Sequence, residues 1–169
     1  MAAGDTKLVY SSATDLLTSG SLDAIRSGGG GLTTGQFSTS DVIDNSTALY
    51  QDVQFYVRIY TDSASATGPI HIYVAATVAG TDAYEDGLTA NQTAGTATAW
   101  IANSHHCMSL YQNTQSGYYA TGVVNVAAKY GGRAPRKMLL VVRNDTSQTL
   151  SGSSNNQIEW RGIYSQVAS

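Results

Sequence analysis

The chain has 169 residues, of which 12% are charged, and its formal net charge is −3. This length indicates one domain, and the weak negative charge argues against a nucleic-acid partner, which requires a basic footprint. The single Cys107 excludes an internal disulfide, and no apolar run approaches the roughly 20 residues that span a bilayer. Because no charged segment is followed by an apolar run, we expect no signal peptide and synthesis in the cytoplasm.

Residues 1–45 lack a sustained alternation of apolar and polar positions. Short segments at 7–10 (KLVY) and 22–26 (LDAIR) fit a strand and a helical turn, but the SGGGG run at 27–31 disfavours any regular element. We therefore predict an extended N-terminal arm over 1–45 and a β-sandwich domain over 46–169. The arm is either a flexible tail or a segment that orders only against a neighbouring subunit.

The strongest pattern is the stretch LYQDVQFYVRIY at 49–60. Apolar side chains alternate there with a second set that includes Tyr56, Arg58 and Tyr60. A period of two places the two sets on opposite faces of a strand, so one face can line a core. The other face, rich in tyrosine, is typical of a contact surface.

Six further strands are predicted, at 70–78, 96–103, 106–111, 118–128, 137–143 and 157–164. The run MLLVV inside 137–143 is apolar on both faces, which indicates a central buried strand. No long helix is predicted, and the long separations between strands favour a jelly-roll or Greek-key β-sandwich. An immunoglobulin-like sandwich is the alternative, although its usual cysteine pair is missing.

Potential metal ligands are few. His105, His106 and Cys107 are consecutive, and neighbours on a strand point to opposite faces, so only His105 and Cys107 could share an ion. A structural zinc site requires four ligands. The three carboxylates at 81–87 do not follow the alternating acidic spacing of a calcium loop. We predict no metal and no cofactor, and whether the loop over 80–95 binds an ion stays open.

No catalytic set is evident in the sequence. Serines are plentiful, but no GxSxG motif occurs, and His71 has no acid partner nearby in the sequence. Asp52 and Glu159 lie on predicted strands, and nothing brings them together as the carboxylate pair of a glycosidase. We therefore predict that the chain is not an enzyme.

The predicted interface residues are Tyr56, Arg58, Tyr60, Tyr73, Arg133 and Arg136. The first four belong to strands expected to be lateral neighbours, and exposed aromatic area often marks a binding surface. Alternatively, these tyrosines are not exposed, because a further sheet or the N-terminal arm covers them. The two arginines lie in the densest basic run, 129–143, which either faces an acidic protein partner or only flanks the MLLVV strand.

Two segments carry a resemblance to a known group of proteins. Residues 68–87 read GPIHIYVAATVAGTDAYEDG, and residues 131–166 read GGRAPRKMLLVVRNDTSQTLSGSSNNQIEWRGIYSQ. In this layout, over about 45–166, the chain resembles small all-β virion proteins of tailed bacteriophages. The resemblance implies a non-enzymatic role in the particle. The most direct form is a capsid decoration (cement) protein, a homotrimer that bridges capsomers of the major capsid protein and leaves the host by lysis.

Two alternative functions stay open at this point. One is a tail, neck or fibre-attachment component of the virion. The other is a carbohydrate-binding β-sandwich that recognises host surface glycans, in which Trp100, Trp160 or exposed tyrosines stack on sugar rings.

Overall fold

The computed structural model describes residues 6–18, 20–61, 66–77, 84, 88–96, 98–102, 104–112 and 119–167. Within these ranges the chain forms ten β-strands. They are β1 (Thr6–Tyr10), β2 (Thr14–Asp15), β3 (Phe37–Thr39), β4 (Ile43–Asp44), β5 (Asp52–Tyr60), β6 (Ile70–Ala76), β7 (His105–Leu110), β8 (Tyr119–Asn125), β9 (Lys137–Asn144) and β10 (Gln157–Val167). Short 3₁₀ turns lie at Ala99–Ala102 and Ala127–Lys129.

The strands form two antiparallel sheets, which confirms the predicted all-β sandwich. The first sheet has the order β1-β10-β5-β8, and β2 also pairs with β10. The second sheet has the order β3-β9-β6-β7, and β4 also pairs with β9. Every pairing between these strands is antiparallel.

The pairing is nested about the connection between β6 and β7. β6 pairs with β7, β5 with β8, β3 and β4 with β9, and β1 with β10. The described strands therefore follow the course of one long hairpin. The additional pairs β5–β10 and β6–β9 roll this hairpin into two layers.

The alternation predicted for β5 is confirmed. Val53, Phe55, Val57 and Ile59 have no exposed surface, whereas the residues between them are half-buried. The second sheet contributes Ile70, Ile72, Val74, Met138, Leu140 and Val142 to the same core. Burying a side chain of this size typically stabilises a fold by about 1.5–3 kcal/mol, so this layer is the main source of stability.

Strand β9 is buried on both faces, as its MLLVV run predicts. Leu139 and Val141 point away from the main core and pack in a second apolar cluster with Phe37 and Trp100. Trp100 lies in the 3₁₀ turn Ala99–Ala102, so the strand predicted over 96–103 is wrong. The turn places the indole against the outer side of the second sheet, where it is 1% exposed.

The predicted arm is wrong for the described part of residues 1–45, because these residues belong to the sandwich. Strands β1 and β2 extend the first sheet, and β3 and β4 extend the second. Leu22, Ile25 and Leu32 have no exposed surface and pack in the main core. Leu32 also exchanges two backbone hydrogen bonds of 2.9 Å with Leu150, which fixes the glycine-rich segment to the chain before β10.

We expect the substitution Leu32→Ala to lower the free energy of unfolding by about 2–5 kcal/mol, because it opens a cavity in the main core. The matched control is Leu49→Ala, since Leu49 is 61% exposed. A surface change of this kind should stay within about 0.5 kcal/mol. Chemical denaturation followed by fluorescence measures both values. Equal stability of the two variants would contradict the placement of this segment in the core.

Candidate functional site

The outward side of the first sheet presents three of the predicted interface residues. Tyr56, Arg58 and Tyr60 alternate with the buried positions of β5 and are half-buried. Directly opposite them on β8 are Val123, Thr121 and Tyr119. We call the five residues Tyr56, Arg58, Tyr60, Tyr119 and Val123 the tyrosine face.

Three side chains of the tyrosine face, those of Arg58, Tyr60 and Tyr119, are held by contacts with one another. The guanidinium carbon of Arg58 lies 5.0 Å from the ring centroid of Tyr119. The Tyr60 and Tyr119 centroids are 5.4 Å apart. Arg58 Nη2 also donates to the carbonyl oxygen of Asn155 at 3.2 Å. An arginine stacked on a tyrosine and tied to the backbone loses little further freedom on binding, which favours a contact role.

Tyr73 does not join this face, so the predicted lateral pairing is wrong. The neighbours of β5 are β8 and β10, whereas β6, which carries Tyr73, lies in the other sheet. Tyr73 is 7% exposed, and its ring lies 5.1 Å from that of Trp100. Both aromatic rings belong to the second apolar cluster. Trp100 is therefore not available to stack on a sugar.

Arg133 and Arg136 lie exposed beside a groove of about 660 Å³. Its other walls come from the segment between β4 and β5, including Leu49 and Tyr50. Buried Asn45 joins the two walls, because its Nδ2 donates to the carbonyl oxygens of Tyr50 at 3.1 Å and of Pro135 at 3.3 Å. The groove therefore has an ordered shape and two cationic side chains at its rim.

The basic run over 129–143 does not form one patch. Lys137 Nζ lies 3.9 Å from Asp44 Oδ2, and Arg143 Nε donates to Asp145 Oδ1 at 3.0 Å. Arg143 lies on β9 in register with His71 of β6, on the outer side of the second sheet. Of the basic residues in this run, only Arg133 and Arg136 line the groove.

A cluster that the sequence did not predict lies on that outer side of the second sheet. His71 Nδ1 is 3.2 Å from His106 Nε2, and Ser109 Oγ is 2.9 Å from His71 Nδ1 and 3.2 Å from His106 Nε2. On the other side of the ring, His71 Nε2 is 3.5 Å from Asp145 Oδ2. His71 has no acidic residue nearby in the sequence. The pairing of β6 with β9 brings Asp145, which lies 74 residues further along the chain, next to it. We call His71, His106, Ser109 and Asp145 the histidine cluster.

A β-bulge at Cys107 creates this arrangement. Ser109 is in register with His71 and His106 with Tyr73, so the chain between His106 and Ser109 holds one extra residue. Without the bulge, residues three apart would point to opposite faces. With it, His106 and Ser109 share the outer face. Bulges are frequent next to functional sites because they redirect side chains in this way.

The surroundings of His71 favour its neutral form. Burial lowers the pKa of His71 below its ordinary value, and the neighbouring His106 and Arg143 lower it further, while Asp145 opposes the shift. A neutral imidazole that donates from Nε2 towards Asp145 keeps a free lone pair on Nδ1. Hydroxyl, imidazole and carboxylate in a row are also the parts of a nucleophilic set. In this cluster a second imidazole is also present: His106 Nε2 lies 3.2 Å from Ser109 Oγ and 3.2 Å from His71 Nδ1. The serine hydroxyl therefore has two histidine partners, whereas a nucleophilic set provides one.

The metal pair considered from the sequence, His105 and Cys107, faces the opposite side of β7. The ring of His105 lies 4.3 Å from that of Tyr130, and Cys107 packs against the main core. Among the described residues, no three or more His, Cys, Asp or Glu side chains converge on one point. The carboxylates at 82, 85 and 86 and most of the loop over 80–95 lie outside the described residues.

Asp52 and Glu159 do not form a glycosidase pair. Glu159 lies opposite Tyr56, four residues along β5 from Asp52. At the rise of a strand, this places their backbones about 13 Å apart, beyond the roughly 5–9.5 Å that separates the carboxylates of such enzymes. Asp52 Oδ1 instead accepts the amide of Ala127 at 2.6 Å.

Comparisons with protein-family models, with curated proteins and with solved structures found no match to this chain. None of the helical segments in the described ranges has the length and apolar character needed to cross a membrane.

Cys107 should react slowly with thiol reagents in the folded chain. Burial raises the pKa of Cys107 to about 11. Because the thiolate is the reactive form, we expect its reaction with DTNB at mildly alkaline pH to be slower than in the denatured chain by a factor on the order of 100. The absorbance of the released thiolate measures both rates. Equal rates in the folded and denatured chain would place Cys107 at the surface instead.

Proposed function

We propose that this chain is a non-enzymatic structural protein of a bacteriophage virion, most directly a capsid decoration (cement) protein that bridges neighbouring capsomers. The tyrosine face carries the proposal. Contacts already order the side chains of Arg58, Tyr60 and Tyr119 before any partner arrives, so binding costs little entropy at these residues. Tyrosine and arginine are also the residues that most often dominate protein–protein interfaces.

The shape of the body supports the same role. The nested strand pairing favours the jelly roll among the topologies expected from the sequence, and jelly rolls are frequent in viral capsid proteins. A two-layer sandwich with an apolar core is stiff. A stiff protein that bridges two capsomers buries additional surface on both of them. These contacts must be broken before internal pressure can open the shell.

The groove with Arg133 and Arg136 is the second proposed contact. Neither arginine forms an ion pair with a described residue, and both are exposed. Asn45 holds the two walls at a fixed distance. An acidic segment of a capsid protein is the occupant that two exposed guanidinium groups favour, because each can hold a carboxylate with two parallel hydrogen bonds.

We propose that the chain forms a homotrimer through strand β1. Leu8 is 65% exposed, Tyr10 is 51% exposed and the nearby Val167 is 64% exposed. β1 lies at the end of the first sheet, with no further described strand on its outer side. Exposed apolar residues on an open edge favour contact with another chain. The partner we propose is a different surface of the next copy of this chain, because a contact between unlike surfaces can close into a ring of three.

The amount of protein in purified virions tests the role. A decoration protein should be present in tens to hundreds of copies per particle when its stained band is compared with that of the major capsid protein. A few copies per particle would indicate a tail, neck or fibre-attachment component instead. Its absence from virions would contradict both, and binding to a glycan array would then favour the carbohydrate-binding alternative.

The contribution of the tyrosine face is tested by rebinding to particles that lack the protein. We expect the double variant Tyr56→Ser, Arg58→Ala to bind at least about 10-fold more weakly. Tyr111→Ser is the matched control, because Tyr111 is 66% exposed and lies outside the face. Co-sedimentation with the particles gives both affinities. Unchanged binding of the double variant would remove the tyrosine face from the contact.

The trimer is tested separately in solution. Leu8→Lys places a charge on the open edge of β1, so it should convert the trimer into a monomer. Tyr111→Lys is the control and should remain a trimer. Light scattering after size-exclusion chromatography measures the mass. A monomeric parent chain, or a trimer that tolerates Leu8→Lys, would contradict assembly through β1.

A further inference from the structure

The histidine cluster carries an inference that is independent of the proposed virion role. Three polar atoms converge on one point at the outer side of the second sheet: His71 Nδ1, His106 Nε2 and Ser109 Oγ. Their separations are 3.2, 2.9 and 3.2 Å. Tetrahedral coordination with metal–ligand bonds of about 2.0–2.1 Å places neighbouring ligand atoms about 3.3 Å apart. The three atoms thus already stand at nearly the spacing that a bound ion requires.

We infer that this cluster is a surface site for a divalent transition-metal ion of the Zn²⁺ class. His71 Nδ1 and His106 Nε2 are the two imidazole ligands. The hydroxyl of Ser109 holds the third position, either directly or through a water molecule, and solvent fills the fourth. Imidazole nitrogen suits Zn²⁺, Cu²⁺ and Ni²⁺ and does not suit Mg²⁺ or Ca²⁺, so the site selects the first group.

The outer shell of the cluster supports a metal site. His71 Nε2 lies 3.5 Å from Asp145 Oδ2, and Arg143 Nε holds the other oxygen of Asp145 at 3.0 Å. A carboxylate behind the second nitrogen of a ligating histidine is the usual outer-shell partner in zinc proteins. The negative charge beside Nε2 favours the tautomer in which Nε2 carries the proton and Nδ1 the lone pair.

The two imidazoles are held in place before an ion binds. The ring centroid of Tyr73 lies 5.1 Å from that of His106 and 6.0 Å from that of His71. The bulge at Cys107 fixes His106 and Ser109 on the same face as His71. The side chain of His71 is 22% exposed and His106 is exposed, so an ion can reach the site from solvent.

Calorimetric titration tests the inference. The full-length chain is treated with EDTA, dialysed and titrated with ZnCl₂ at neutral pH. We expect saturable binding of one ion per chain. His71→Asn and His106→Asn should each abolish it. Asp145→Asn should weaken it by about 10- to 100-fold, the usual effect of losing an outer-shell carboxylate.

His105→Asn is the matched control. His105 is the neighbour of His106 in the same strand but faces Tyr130 on the other side, so this variant should bind Zn²⁺ as the parent does. Because His106 is exposed on an edge strand, His106→Asn should keep the fold, which a thermal melt of each metal-free variant verifies. The inference is overturned if the parent binds no Zn²⁺ at millimolar concentration. It is equally overturned if His106→Asn binds as well as the parent.

Discussion

The register of β5 between β8 and β10 determines what this molecule presents to its surroundings. Along β5 each apolar residue enters the core, and each residue between them faces outward. A slip of one residue would exchange the two sets and place four apolar side chains in water. The free energy of the core therefore fixes the positions of Tyr56, Arg58 and Tyr60. The contact surface that we propose is a consequence of the same alternation that stabilises the fold.

The two sheets use their outer sides differently. The first sheet carries the tyrosine face on the outer side of β5 and β8, where the β5 residues are half-buried. The second sheet covers most of its outer side with the turn that carries Trp100, which makes a second apolar cluster. The histidine cluster lies on this same outer side, where the rings of Tyr73 and His106 meet. The outer side of the first sheet is thus suited to a broad contact. The outer side of the second sheet is suited to a small polar site, which lies beside the second apolar cluster.

The sequence predicts the long strands well and the irregular parts poorly. β5 and β9 carry unambiguous patterns, strict alternation in one and a continuous apolar run in the other, and both predictions are confirmed. The burial of residues 1–45 is not predictable in this way, because Leu22 and Ile25 reach the core from a turn and Leu32 from an isolated β-bridge, where no period reveals burial. The sequence predicts a strand around Trp100 because a single turn of 3₁₀ helix has no distinctive pattern.

The candidate sites show the same division. The β5 part of the tyrosine face can be predicted because Tyr56, Arg58 and Tyr60 alternate within one strand. Tyr119 and Val123 join it only through the pairing of β5 with β8. The histidine cluster could not, because it depends on pairings between residues that are 35 and 74 positions apart and on a bulge that reverses the facing of one strand. The run of His105, His106 and Cys107 is a partial signal, but the alternation of a regular strand pairs His105 with Cys107, on the side away from His71. The register of β6 against β7 and β9 is needed to bring His106 and Asp145 next to His71.

An image reconstruction of the assembled virion tests the central claim most directly, because it reveals what covers the outer side of the first sheet. The account predicts the chain bound on the shell of capsomers, with the tyrosine face buried against another polypeptide. A reconstruction in which this side of the sandwich points into solvent, or in which the protein is absent from the particle, would contradict it.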